Sequence, residues 1–392
     1  MHVSDVITGH YLKEGTQLQI TLEAIDIENN RTLWRDTMTV AAPDMIAMRG
    51  QITAKVRQGL VPALGAGTNS DEGATRPKNE EAYDLYLRSL AMPHDDRPNK
   101  EAIGMLERAV GLDPNYAPAW AYLGVRSHYD GAYADGGSAM LDRSDAALQR
   151  ALTLDPNYVF ADAWLITNWV ERGELVRAYQ QSKALAEHHP ENPEARFAYS
   201  YVLRYGGDVE ESARQCDAAR TIDPGDFMLR SCAFTFEQLG DNDRAQQFID
   251  IDAGSMWANS NLMRLYVRAG KLAEARDLAK ARALISNGRS IMADCIDHPS
   301  SEADAKATVD KYLSETDPEP RYVLASEVLF CGHPDAALQL LRGAIAGHYC
   351  AYAGLQNDTL WAKLRGNPKF AEVVSSAKQC RDDFFAKRNG TP

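Results

Sequence analysis

Two patterns of apolar residues divide the chain into a short N-terminal part and a long helical part. Apolar and polar side chains alternate over residues 17–25, which predicts a strand, and turn-forming residues flank this segment. We expect strands over residues 6–40, followed by a helix that begins near Asp44. The apolar stripe of this helix comprises Met45, Met48, Ile52, Val56 and Leu60.

The apolar face of the predicted sheet is larger than one helix can cover. It comprises Leu18, Ile20, Leu22, Trp34 and Met38. A core of three strands and one helix is marginal by itself. We therefore expect this face to pack on a second chain or on the helical part of the protein.

A 34-residue period organises the helical part. Pro156, Pro190 and Pro224 lie 34 residues apart, and the letters LDPNY occur at residues 112–116 and 154–158. A proline that closes each 34-residue unit resembles the tetratricopeptide repeat, a pair of antiparallel helices. The resemblance implies a mostly α fold, an α-solenoid of stacked helical hairpins preceded by the small, incomplete α/β domain.

The register of the repeat gives roles to single residues. Ser200 takes a position where two helices cross closely, and Gly207 ends its helix, because a left-handed conformation costs glycine least. From Pro114 to Pro156 the interval is 42 residues, which predicts about eight extra residues in the loop of residues 129–137.

The N-terminal part also resembles a known family. The segment ITGHYLKEGTQLQITLEAIDIENNRTLWRDTM (residues 7–38), followed by a helix, is similar to the second half of the TolB-like α/β domain. That domain precedes tetratricopeptide arrays in bacterial one-component regulators, which carry a ToxR-like winged helix, an adenylate cyclase or a serine/threonine kinase. The segment NDTLWAKLRGNPKF (residues 357–370) resembles the end of the same arrays. The resemblance implies a sensing or interaction region beyond a membrane span, which is a periplasmic or extracytoplasmic location.

We predict four segments from these patterns. They are a partial TolB-like domain at residues 1–64, a linker at 65–78, a tetratricopeptide array at 79–290, and degenerate repeats with capping helices at 291–392. Since the first half of the TolB-like domain is not in the sequence, the chain is either a piece of a longer protein or completed by a second chain.

Composition and motifs exclude several classes of function. A formal net charge of −13 argues against a nucleic-acid surface. No apolar run is long enough for a membrane span, and the start lacks the pattern of a signal peptide, so a cytoplasmic location stays open. The sequence shows no P-loop, nucleophile elbow, zinc-protease or dinucleotide motif, so we expect neither an enzyme nor a cofactor or metal site.

The six cysteines fall into two groups. Cys232 takes a core position of its repeat and Cys216 lies near one, so both are expected to be buried thiols. Cys350 and Cys380 lie outside the repeat pattern in the closing segment. In an oxidising compartment we expect these two to form a disulfide.

The first helix of each unit lines the concave side of such an array. The register turns six residues towards this groove: Tyr201, Arg204, Arg230, Phe234, Arg264 and Arg268. Arginine binds carboxylates through two parallel hydrogen bonds, which predicts a groove for an acidic peptide. The alternative is that these arginines pair with nearby acids such as Glu237 and Asp241. If they bind a ligand, Arg230→Ala and Arg264→Ala should weaken binding without unfolding the array.

The sequence thus predicts a non-catalytic protein–protein interaction scaffold, the sensing or assembly part of a bacterial signalling system. Its partner would be a protein or peptide bound in the groove. The alternative is a periplasmic assembly partner that pairs through the incomplete sheet edge, with a second copy or another chain. An enzyme is disfavoured, because no nucleophile–base pair or metal set is present.

Overall fold

The computed structural model describes residues 5–27, 29–42, 44–60, 76–94, 96–285, 291–297 and 300–388. The chain divides into two compact units, of which the first comprises Met1–Tyr129 and Ala146–Tyr158 and the second Asp130–Asp145 and Val159–Pro392. The strands are β1 (Asp5–Glu14), β2 (Gln17–Asp26) and β3 (Arg31–Ala41). The helices are α1 (Met45–Lys55), α2 (Glu80–Leu90), α3 (Asp96–Leu112), α4 (Ala117–Tyr133), α5 (Gly137–Leu154), α6 (Val159–Glu171), α7 (Leu175–His188), α8 (Pro193–Gly206), α9 (Val209–Ile222), α10 (Ala233–Leu239), α11 (Asn242–Ile249), α12 (Met256–Arg268), α13 (Leu272–Ile285), α14 (Ile291–Cys295), α15 (Glu302–Ser314), α16 (Glu319–Phe330), α17 (Pro334–Ala346), α18 (Tyr352–Asn357) and α19 (Pro368–Arg388).

The three strands form an antiparallel sheet in the order β1, β2, β3. Ala24, Met38 and Val40 are buried, and α1 with the π-helical turn after it packs against β3. All ten residues of β1 are exposed, including Ile7 and Tyr11. The core of this sheet therefore lies under α1 on the β3 side, and β1 extends beyond it.

The predicted apolar face is covered only in part. Leu18, Ile20 and Leu22 are half-buried, and Trp34 lies so close to Gly59 that a methyl group there would meet its indole ring. On the array side, Glu80 at the start of α2 accepts a hydrogen bond from the backbone N–H of Met45 at 3.1 Å. The predicted linker falls largely outside the described residues.

The helical part consists of antiparallel hairpins of the tetratricopeptide type. In the second unit α6 pairs with α7, α8 with α9, α10 with α11 and α12 with α13. Gly207 ends α8 with a φ of 81°, as predicted, and Gly240 and Gly270 end α10 and α12 in the same left-handed conformation. Ser200 is fully buried with its Oγ 3.0 Å from Ser212 Oγ of α9, which confirms the close crossing.

The prediction of a long loop at residues 129–137 is wrong. The extra residues lengthen the helices on both sides of that segment: α4 has 17 residues and α5 has 18, against 13 in α6 and 14 in α7. Ala132 and Leu141 are buried in the added turns. Apolar positions at helical spacing therefore continue through the insertion, and burying them favours extra turns over a loop.

The C-terminal part of the chain is helical. α15 precedes a hairpin of α16 and α17, with a left-handed Gly332 between these two helices. α19 packs against α7, α8, α17 and α18. We call residues 315–388 the C-terminal segment.

All six cysteines form disulfides. The pairs are Cys216–Cys232, Cys295–Cys331 and Cys350–Cys380, with Sγ–Sγ distances of 2.07, 1.93 and 1.99 Å. The expectation of buried free thiols at Cys216 and Cys232 is wrong. Both residues are fully buried as expected, but α9 and the turn before α10 place them face to face, which the assignment of each cysteine to its own repeat position did not reveal.

Candidate functional site

Three consecutive hairpins of the second unit carry five of the six predicted groove residues, and the sixth, Arg230, lies in the turn before α10. Tyr201 and Arg204 lie on α8, Phe234 lies on α10, and Arg264 and Arg268 lie on α12. The guanidinium carbons of Arg204 and Arg264 lie 5.6 and 5.5 Å from the centre of the Phe234 ring. We call Arg204, Arg264 and Arg268 the arginine row.

Arg204 binds the C-terminal segment. Its Nη2 donates to Glu319 Oε2 at 3.0 Å, and its Nε lies 2.8 Å from Glu319 Oε1. Its Nη1 donates to the carbonyl oxygen of Ser231 at 2.8 Å, and its guanidinium stacks over the Tyr201 ring at 4.7 Å. Since Arg204 is 0% exposed, this two-pronged ion pair is entirely internal.

The other two arginines share one carboxylate and also reach the C-terminal segment. Arg264 Nη2 donates to Glu237 at 3.2 Å, and Arg268 Nη1 lies 2.8 Å from the same carboxylate. Arg268 Nε also donates to Asp358 at 2.9 Å, and Arg264 Nη1 lies 3.6 Å from Glu327. Burial raises the pKa of Glu237, but Arg264 and Arg268 together lower it more, so its pKa lies below the ordinary value.

Neutral contacts hold the C-terminal segment to the same helices. The backbone N–H of Cys350 donates to the carbonyl oxygen of Tyr205 at 2.7 Å. Gln238 Nε2 donates to the Tyr349 hydroxyl at 2.9 Å, and Asn357 Nδ2 donates to the carbonyl oxygen of Gln238 at 3.1 Å. These bonds satisfy polar groups at the ends of α8 and α10 that would otherwise need solvent.

Glycines allow the closest approaches between these helices and the segment. A Cβ added at Gly206 would meet the Phe384 ring at 2.3 Å, and one added at Gly207 would meet the carbonyl oxygen of Cys350 at 2.5 Å. One added at Gly354 would meet Cγ of Gln238 at the end of α10 at 3.0 Å. The C-terminal segment therefore packs at backbone distance on the helices that carry the predicted groove.

A cluster of buried acids lies beside Arg204. Tyr201 donates to Glu171 at 3.0 Å, and Tyr205 donates to Asp317 at 2.8 Å. Burial raises the pKa of Glu171 to about 8 and raises the pKa of Asp317 well above its ordinary value. Burial also raises the pKa of Glu319, although Arg204 opposes this shift. These shifts favour the protonated forms of the carboxyls, because burial opposes charge and the acids also repel one another.

Arg230 has a different environment from the arginine row. It pairs with Asp252 at 2.6 Å and stacks over the Phe227 ring at 3.8 Å, and its side chain is 20% exposed. These partners belong to the array and lie outside the C-terminal segment. Of the predicted groove arginines, it is therefore the one whose pairing lies near the surface.

The arrangement gives internal partners to the residues that were predicted to bind a ligand. The alternative of pairing with Glu237 is realised by Arg264 and Arg268, whereas Asp241 instead caps α11 through the backbone N–H of Arg244. The expectation that Arg264 lies outside the packed core is wrong, because its side chain is 2% exposed.

Sequence reasoning missed Asp317, Glu319, Tyr349 and Asp358, which form the other side of the site. Asp358 does carry a sequence signal, because an acid at this place in the array-closing segment (residues 357–370) is typical of the start of a helical turn. We used that segment only for the family resemblance. Glu319 had no such signal, because it lies 115 residues from Arg204 and outside the repeat period.

None of the helices that the structure describes is long and apolar enough to cross a membrane. Among the described residues of the site, the arginines can bind carboxylates, and the buried acids with raised pKa values can hold protons.

No family model matches the chain. Over 122 residues it is 26% identical to "Putative adenylate cyclase 3" of Rhizobium meliloti (strain 1021); the match covers 31% of this chain and 21% of that protein. The chain thus spans about a fifth of the length of this relative.

Two solved structures of tetratricopeptide proteins are among those similar to this chain. A thermophilic tetratricopeptide protein of Thermus thermophilus is 20% identical, with a TM-score of 0.38, covering 45% of this chain and 95% of that one. A tetratricopeptide repeat protein of Parabacteroides merdae is 13% identical, with a TM-score of 0.36, covering 76% of this chain and 100% of that one. Both TM-scores are below 0.5, and the tetratricopeptide type of the fold is shown by this chain's own hairpins and glycine turns.

Proposed function

We propose that the chain is a non-catalytic protein-interaction scaffold whose arginine row binds an acidic protein segment, and that its own C-terminal segment is the resident occupant. The observation that carries the proposal is the contact of Arg204 with both carboxylate oxygens of Glu319. Arg268 adds a second ion pair, in which its Nε and Nη2 both contact Oδ2 of Asp358. Charge-assisted pairs of this geometry are what a peptide-binding groove would offer to an acidic partner. A partner with the same chemistry would compete with the resident segment.

We further propose that this scaffold is the sensing or assembly part of a bacterial signalling system. The TolB-like pattern of residues 7–38 and the array-closing pattern of residues 357–370 support this placement. So does the local similarity to a relative named as an adenylate cyclase, of which this chain covers a fifth. A purified chain that turns over a substrate by itself would overturn the non-catalytic part of the proposal.

An extracytoplasmic location belongs to the same proposal. Three disulfides that use every cysteine are typical of proteins exposed to an oxidising compartment.

Competition with a synthetic peptide tests the proposed binding. The probe is a fluorescent peptide with the chain's own sequence over residues 313–324, titrated into the full chain. Glu319→Gln removes the charge of the resident occupant, so we expect this variant to bind the peptide on the order of tenfold more tightly than wild type. Asp335→Asn, an exposed acid of the same segment paired with Lys369, is the matched control and should match wild type. Equal peptide affinity for all three chains, or no binding to any, would contradict exchange at the arginine row.

A further inference from the structure

The outer edge of β1 has no partner strand among the residues that the structure describes. β1 is ten residues long, and its register with β2 is unbroken from Asp5 opposite Asp26 to Glu14 opposite Gln17. Natural edge strands are usually short, bulged or rich in charge, whereas this one is long and regular.

Both faces of β1 carry exposed apolar side chains. On the face that α1 covers further along the sheet, Ile7 is 57% exposed and Tyr11 is 72% exposed. On the opposite face, Val6 is 37% exposed and Leu12 is 52% exposed. A regular edge flanked by apolar residues on both faces favours the addition of another strand.

We propose that β1 pairs with β1 of a second copy of this chain, antiparallel and about a two-fold axis at Gly9, to form a continuous six-stranded sheet. An axis of this kind runs perpendicular to the sheet and leaves each face on its own side. Odd-numbered residues must therefore face odd-numbered residues of the other copy, and even-numbered residues must face even-numbered ones.

The register centred on Gly9 is self-complementary at every described position. Ile7 faces Tyr11 of the second copy on one side of the sheet, and Val6 faces Leu12 on the other. Asp5 faces Lys13, so each end of the paired segment brings opposite charges together. Aromatic–aliphatic and opposite-charge pairs are the stabilising cross-strand pairs in antiparallel sheets.

Neighbouring registers lose this complementarity. A shift that centres the axis on His10 sets Ile7 opposite Lys13, and a shift that centres it on Thr8 sets Tyr11 opposite Asp5. Both place an apolar side chain against a charge. Because the two-fold axis must pass through a residue, each one-residue shift of the axis changes the pairing by two residues. Among these allowed registers, the pattern of charges and apolar residues selects the one centred on Gly9.

Gly9 on the axis fits this arrangement. The two copies approach most closely where the same residue meets itself, and glycine adds no side chain there. Within the sheet, a Cβ at Gly9 would already meet the Leu22 side chain at 3.0 Å.

The interface lies in the first unit and does not depend on the arginine row. A negative result for this dimer would therefore leave the proposed function untouched, and the reverse also holds.

Sedimentation equilibrium of the full chain measures the proposed dimer. At about 100 μM we expect twice the chain mass, since a micromolar Kd gives mostly dimer at this concentration. Tyr11→Lys sets a charge against Ile7 at both symmetric positions and should give a monomer. Leu272→Lys changes an exposed apolar residue outside the sheet and should leave the dimer intact. Thermal unfolding of each variant shows that the fold is retained.

Charge exchange at Asp5 and Lys13 tests the register itself. Asp5→Lys alone and Lys13→Asp alone each create two like-charge contacts, which should weaken self-association on the order of tenfold. An equimolar mixture of these two variants should recover the dimer, because every Lys then faces an Asp. A monomeric wild type, a dimer that survives Tyr11→Lys, or a mixture no tighter than its components would each overturn the proposal.

Discussion

At the scale of single residues, two arginines of the predicted groove have different surroundings. Arg204 and Arg230 come from neighbouring repeats and were both predicted to face the groove. Arg204 is fully buried against Glu319, whereas Arg230 pairs with Asp252 near the surface. The repeat register predicts the direction in which a side chain points. It does not predict that Glu319, 115 residues away in the sequence, covers Arg204.

This difference predicts a difference in stability. Arg204→Ala leaves a buried carboxylate without its partner, and we expect it to lower the free energy of unfolding by about 3–5 kcal/mol. Arg230→Ala breaks a partly solvated pair and should cost about 1 kcal/mol or less. Urea unfolding of the two variants measures both values, and similar losses would show that the two arginines have similar surroundings.

The acid cluster predicts a pH dependence with a defined sign. The folded pKa of Glu171 is raised to about 8 from 4.5, so between these values the folded chain binds more protons than the unfolded one. The contribution of Glu171 to stability is therefore fully present at low pH and is lost as pH rises towards about 8.

Glu171→Gln isolates this contribution, because glutamine keeps the size of the side chain and does not titrate. Relative to wild type, the variant should become more stable by on the order of 1 kcal/mol for each pH unit between about 5 and 8. Unfolding free energies of both proteins across this range provide the measurement. A difference that is constant with pH would mean that Glu171 is ionised in the folded chain.

At the scale of helices and strands, local signals predicted most of the fold. The 34-residue period, the strand alternation and the left-handed glycines are properties of short segments, and they predict β2 and the end of α8 closely. The insertion in α4 and α5 was misassigned because spacing shows how many residues are added and not whether they stay helical. The packing of the C-terminal segment was not predicted, since no periodic signal links Glu319 to Arg204.

Gly207 and Gly270 provide a matched test of that packing. Both have a left-handed φ, 81° and 72°, but a Cβ at Gly207 would meet Cys350 and Arg381, whereas one at Gly270 has no atom within 4 Å. Gly270→Ala should cost about 1 kcal/mol, from backbone strain alone. Gly207→Ala should cost clearly more, by about 1–3 kcal/mol. Equal losses in thermal or urea unfolding would place the C-terminal segment away from the end of α8.

At the scale of the whole molecule, covalent links and buried charge hold the C-terminal segment in place. Cys350–Cys380 closes a loop of 30 residues, which stabilises the fold by roughly 3–4 kcal/mol in the chain-entropy model. This link lies within the C-terminal segment, whereas Cys295–Cys331 joins the segment to α14. A displacing partner would therefore act against the ion pairs of the arginine row, with the segment still joined to α14 by Cys295–Cys331.

Labelling with a thiol reagent tests the disulfides in protein purified without reductant. We expect no cysteine to react in the unfolded, unreduced chain and all six to react after reduction. Peptide mapping should recover the link between Cys350 and Cys380. Free thiols at these two positions would remove the 30-residue loop closure within the C-terminal segment and the redox argument for an extracytoplasmic location.

The central claim is that the C-terminal segment occupies the arginine row, and a double-mutant cycle between Arg204 and Glu319 measures it directly. The cycle compares unfolding free energies of wild type, Arg204→Met, Glu319→Gln and the double variant in the full chain. Contact between the two side chains predicts a coupling of about 2 kcal/mol, with the double variant losing much less than the sum of the single losses. Additive losses, with a coupling below about 0.5 kcal/mol, would contradict the contact and leave the arginine row without its resident occupant.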